Sequence, residues 1–208
     1  MLIQGSVGQP SVTSIQPGTT PTLRLGQLGE VVVQELHGRY YETGYRRNLF
    51  NAAVQGTGIT TAAGLVTGYT GLALTNPTTS TVNLVLNKVG YGVNAAPAAV
   101  MVVSLAFNTS TTAVTQTTAI TGRNNFLGGA APQGLVASSV TFPTAPINSH
   151  ILGVIGTNAI TAINESTNIV DLEGSIVMPP GSYICIATST ASAATSFWGS
   201  FQWEEVPV

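Results

Sequence analysis

Thr81-Val82-Asn83-Leu84-Val85-Leu86-Asn87-Lys88-Val89-Gly90-Tyr91-Gly92-Val93 is the stretch whose reading decides the fold. Val82, Leu84 and Leu86 fall on one face at a period of two, the signature of a half-buried β-strand. N-terminal to it, Leu72-Ala73-Leu74-Thr75 stops at Asn76-Pro77, where the proline holds its predecessor extended and marks a turn. C-terminal to it, Ala99-Val100-Met101-Val102-Val103-Ser104-Leu105-Ala106-Phe107 is apolar on both faces, which suits a central strand. Ile151 to Ile155 and Ile169 to Val177 read as further strands, as does Val31 to Leu36 ahead of them.

Met178-Pro179-Pro180-Gly181-Ser182 reads as a tight turn, with Pro180 presetting φ and Gly181 supplying the positive φ of a type II turn. It feeds Tyr183-Ile184-Cys185-Ile186-Ala187-Thr188, an apolar run in which the single cysteine is expected to be buried. The last run, from Phe197 to Val206, places Phe197, Phe201 and Trp203 on one face. No window joins good helix formers to an i, i+3, i+4 apolar pattern. Short strands separated by turn signals predict an all-β fold: an antiparallel β-sandwich, jelly-roll-like.

Two segments depart from this texture. Residues 1–29 contain Pro10, Pro17 and Pro21 among small polar residues, so they are expected to form an extended N-terminal arm ahead of a sandwich spanning 30–208. A solvated tail is the usual fate of a terminus. The scarcity of charge argues against one here, and an arm ordered on a neighbouring subunit is the alternative. Residues 108–133 are rich in Thr, Gly and Ala and read as an excursion from the sandwich, either a long loop or a weak hairpin.

Only 14 of 208 residues carry a full charge, or 7%, against about 25% in an ordinary soluble domain. Such a chain covers its outside with uncharged polar residues or hides it against copies and partners. A net charge of −2 predicts no attraction to nucleic acid or to acidic membranes. No stretch approaches the roughly 18 apolar residues of a membrane span, and the N-terminus lacks the pattern of a signal peptide.

The reagents of catalysis are equally scarce. The histidines are His37 and His150 and the aspartate is Asp171. No serine stands in a Gly-x-Ser-x-Gly elbow, and no nucleotide-binding glycine motif is complete. The expectation is a non-enzymatic protein without a cofactor. Glu35 with His37, and Asp171 with Glu173, share a face by strand spacing and have metal-ligand chemistry, but exposed polar faces explain them more simply.

The one concentration of charge runs from Glu30 to Arg47, where six of the fourteen charges lie in eighteen residues. Arg39, Arg46 and Arg47 alternate there with Tyr40, Tyr41 and Tyr45. Arg and Tyr dominate interface hot spots, so these six are the candidate protein-interface residues. A solvated strand pair carrying compensating ion pairs is the plainer alternative.

The Pro/Gly/Thr-rich arm, the charge-poor sandwich and the phrase Gly71-Leu72-Ala73-Leu74-Thr75-Asn76-Pro77 before Val82-Asn83-Leu84-Val85-Leu86 resemble tailed-bacteriophage virion proteins. Capsid decoration, cement and head-fibre subunits of that class are often jelly-roll trimers. The resemblance implies a structural subunit located in the virion, a homo-oligomer, expected as a trimer, that also contacts other virion proteins such as the major capsid protein. The alternative is a receptor- or glycan-binding module using loops around 108–133, with Trp198 or Trp203 as a sugar platform.

Overall fold

The computed structural model describes residues 5–7, 23–25, 38–159, 162–163 and 167–208. The chain divides into two units, Met1–Arg39 and Tyr40–Val208. Within the first, β1 (Gly5–Val7) pairs in parallel with β2 (Leu23–Leu25). The proline-rich run 8–22 and the strand expected over Val31 to Leu36 lie outside the described residues.

The second unit opens with a short helix, α1 (Tyr41–Tyr45), and its remaining elements among the described residues are β-strands. In chain order the strands are β3 (Leu49–Ala53), β4 (Gly68–Thr75), β5 (Val82–Val93), β6 (Met101–Thr109), β7 (Thr115–Ile120), β8 (Arg123–Asn124), β9 (Leu135–Thr141), β10 (Ile147–Ile155), β11 (Thr157–Ala159), β12 (Ala162–Ile163), β13 (Thr167–Met178), β14 (Ser182–Thr188) and β15 (Phe197–Pro207). Two antiparallel sheets pack face to face as a sandwich. One has the order β10-β6-β14-β4-β9-β7 and the other β13-β5-β15-β3-β8, while β11 and β12 form a separate hairpin.

Setting aside β7–β9, which are inserted between β6 and β10, eight sheet strands remain. They pair first with last, second with seventh, third with sixth and fourth with fifth: β3 with β15, β4 with β14, β5 with β13, β6 with β10. The excursion at 108–133 therefore is not a free loop. Thr115–Ile120 adds an edge strand to one sheet, and Arg123–Asn124 adds a short one to the other.

The core forms where the inner faces meet. Leu72, Leu74, Met101, Val103, Leu105, Ile184 and Ile186 of the larger sheet pack against Leu84, Leu86, Val89, Phe197, Phe201 and Trp203 of the smaller. The period-two phase of β5 changes along its length: Val82, Leu84 and Leu86 point inward, then Val89, Tyr91 and Val93. The extra residue is Asn87, at which both neighbouring strands skip register, β15 between Gln202 and Trp203 and β13 between Asp171 and Ile176. One bulged residue moves all later side chains to the other face.

β14 is buried along its whole length. Its second face packs with Ala73, Ala106 and Ala137 beneath the stacked rings of Tyr69, Phe142 and Tyr183. The turn ahead of it has the expected geometry. Gly181 takes φ 86°, and Ser182 N–H donates to the Pro179 carbonyl at 3.1 Å.

Candidate interaction surface

The Tyr/Arg segment folds as a helix rather than a strand pair. Two pairs spaced four apart bring it together: the rings of Tyr41 and Tyr45 stack at 5.9 Å, and Arg46 Nε donates to Glu42 Oε1 at 2.7 Å. Such i,i+4 partners face each other only on a helix. The ion pair is largely exposed and so contributes a few tenths of a kcal/mol, on the order of 0.3–0.5. The helix stops where Arg47 adopts a left-handed φ of 66°.

Tyr40 is tied to the smaller sheet. Its hydroxyl donates to Asp171 Oδ1 at 3.1 Å, and Lys88 Nζ lies 5.1 Å from its ring centroid and 3.7 Å from Asp171 Oδ2. Arg47 holds its guanidinium over the Phe126 ring at 4.6 Å, and its carbonyl accepts from Asn124 Nδ2 at 2.7 Å. A shallow groove of about 450 Å³ results, lined by Tyr40, Tyr41, Tyr45, Asn125, Phe126 and Gln202. Two segments that the sequence marked for different reasons, the Tyr/Arg cluster and the excursion, thus share one surface. Of the six candidates, Tyr40, Tyr41 and Tyr45 line the groove and Arg47 packs on its Phe126 wall. Arg39 and Arg46 are exposed.

The metal-ligand idea divides. Glu35 and His37 lie outside the described residues. Asp171 and Glu173 sit in the bulge of β13, where Glu173 has φ 53° and its N–H donates to Asp171 Oδ1 at 3.0 Å, so the shared-face spacing of a regular strand does not hold there. Among the described residues no three His, Cys, Asp or Glu side chains group as a metal site. Trp203 cannot be a sugar platform as it stands, because it is fully buried; Trp198 is half-buried against the same core.

A second surface was not legible in the sequence. The open side of the sandwich is bordered by the edge strands β10 and β13, held together by Tyr91, whose hydroxyl donates to the Leu152 carbonyl at 3.2 Å and accepts from Asn168 Nδ2 at 3.0 Å. These two strands expose Ile147 (65%), Ile151 (64%), Val154, Ile169 (70%) and Val177. β10, Ile-Asn-Ser-His-Ile-Leu-Gly-Val-Ile, contains no Lys, Arg, Asp, Glu or Pro. Natural sheet edges are usually guarded by such residues. The opposite edge, β7, is short and exposes threonines instead.

Comparison with protein families, curated proteins and solved structures finds no match to this chain.

Proposed function

We propose that this protein is a non-enzymatic structural subunit of a virion, a capsid decoration, cement or minor head protein that acts by subunit–subunit contact. The observation that carries the reading is the set of exposed isoleucines and valines on the edge strands β10 and β13, the first of which carries no Lys, Arg, Asp or Glu. Several large aliphatic side chains exposed along two edge strands of a protein with so few charges mark an association site. A second copy is the fitting occupant, because a neutral strand meets its own copy without opposing like charges.

The first-with-last pairing of the eight strands supports the finer jelly-roll reading, an architecture common in capsid subunits. That support is by analogy of fold. The groove of Tyr41, Tyr45 and Phe126 is the second contact, offered to the major capsid protein or another copy. On this reading the protein is a homo-oligomer, expected as a trimer, that neither binds nucleic acid nor enters a membrane. Apolar contact contributes about 25 cal/mol per Å² before ordering costs and is little screened by salt. Light scattering on the full chain is then expected to give an oligomeric mass that holds from low to high salt. A mass that collapses to the monomer as salt rises would show that charge, not apolar surface, makes the contact.

A further inference from the structure

We propose that a pocket between the two sheets, on the side away from β10 and β13, binds a small carboxylic acid that carries hydroxyl groups, the class of the hexuronic and sialic acids. It lies where β7 of the larger sheet meets β8 and the segment after β3 of the smaller. Its volume of about 400 Å³ falls within the roughly 300–1,000 Å³ of small-molecule sites. Gln55, Ile59, Thr118, Ile120, Arg123 and Ser138 are among its lining. Arg123 points to an anion. It is the only charged residue between Lys88 and Glu165 in sequence. Arg46 pairs with Glu42, Lys88 with Asp171, and Arg47 stacks on the Phe126 ring. Arg123 is exposed, and among the described residues no ion pair or hydrogen bond engages its guanidinium. No Asp or Glu lines the pocket to neutralise it.

Both walls are fixed by backbone pairing. On one, Val54 N–H donates to the Gly199 carbonyl at 2.9 Å, and Ile59 and Phe197 exchange both backbone hydrogen bonds, at 2.8 and 2.9 Å. On the other, the pairing of β9 with β7 skips Ser138: Thr118 opposes Ser139 and Ala119 opposes Ala137. A bulge of this kind re-aims a side chain, and Ser138 is part of the lining. The lining states what the occupant must offer. A planar guanidinium takes a carboxylate through two parallel N–H donors. The Ser138 and Thr118 hydroxyls and the Gln55 amide both donate and accept, which suits hydroxyl groups beside that carboxylate. Ile59 and Ile120 supply an apolar wall for the carbon face of a ring. The site lies across the sandwich from the edge proposed for assembly, so it stands whether or not the chain assembles with itself.

The test is ligand-observed NMR on the full chain with D-glucuronate, D-galacturonate and N-acetylneuraminate, beside D-glucose and acetate. Saturable binding of at least one of the three sugar acids is expected, tighter than that of D-glucose or acetate and weaker at high salt than at low. Arg123→Gln is expected to weaken it about tenfold and Ser138→Ala about threefold, each with an unchanged circular dichroism spectrum. No saturable binding of any sugar acid, or equal binding by folded Arg123→Gln, would overturn the proposal. Equal binding of D-glucose would remove the carboxylate from it and equal binding of acetate the hydroxyls, and either result would overturn it too.

Discussion

Glu205 is a buried carboxylate in a chain with few charges, and three N–H groups converge on it. Gly134 N donates at 2.8 Å, Gln133 N at 3.1 Å and the Trp203 indole at 3.2 Å. Glu205→Ala leaves those donors buried without a partner and is expected to cost about 2–3 kcal/mol in urea unfolding. A loss under about 0.5 kcal/mol, the usual size of a surface change, would contradict that role. Burial also raises the Cys185 thiol above its ordinary 9.0 and the Tyr69 phenol above its ordinary 10.0. Both groups are held neutral in the fold, so the stability they contribute is complete below pH 9 and is lost as pH climbs beyond it. Between its unfolded and folded pKa each group removes about 1.4 kcal/mol per pH unit. Cys185→Ala should flatten the fall in stability between pH 9 and pH 10, and an unchanged slope would assign that fall to other groups. The burial of Trp203 and Cys185 could be read from period and from an apolar run. The role of Glu205 could not, since two of its three donors, Gln133 and Gly134, lie some seventy residues away in sequence.

Elements were legible where the period-two pattern runs unbroken and illegible where one residue interrupts it. β14, β15 and the first half of β5 follow their sequence pattern, whereas Asn87 and the bulge opposite it reset the phase in a way no local rule announces. The Pro179-Pro180-Gly181-Ser182 turn was readable because its chemistry is local. Gly181 is doubly constrained: its φ is 86°, and an added Cβ would lie 2.5 Å from the Ser110 carbonyl oxygen. Gly181→Ala is expected to destabilise by about 1–3 kcal/mol, visible as a lower melting temperature. Helix α1 was missed although its signal was present, since Tyr41 with Tyr45 and Glu42 with Arg46 are both spaced four apart. Glycine at position 44 and aromatic neighbours hide so short a helix from propensity. Tyr41 and Arg46 are both exposed side chains, which Tyr41→Ala and Arg46→Ala truncate. They are expected to weaken assembly while leaving unfolding within about 0.5 kcal/mol of wild type; unchanged assembly in both would remove this surface from the account.

At the scale of the whole molecule, fold class was readable and wiring was not. Alternation, turns and scarce charge announce a sandwich, but pairing β3 with β15 or β4 with β14 joins residues more than a hundred positions apart. For the same reason the sequence did not reveal which strands are edges. Ile151–Ile155 and Ile169–Val177 read as ordinary strands, and only the sheet order places them on the open side. That position turns their outward aliphatics from unremarkable residues into the surface on which the functional reading rests. The most direct test is the solution mass of the full chain, by light scattering on a size-exclusion column, beside that of the Ile151→Lys, Ile169→Lys double variant. Both side chains are exposed in the subunit, so the variant should fold with the same circular dichroism spectrum. The account predicts an oligomer for wild type and a monomer for the variant. A wild-type monomer at every concentration, or a variant with unchanged oligomeric mass, would contradict it.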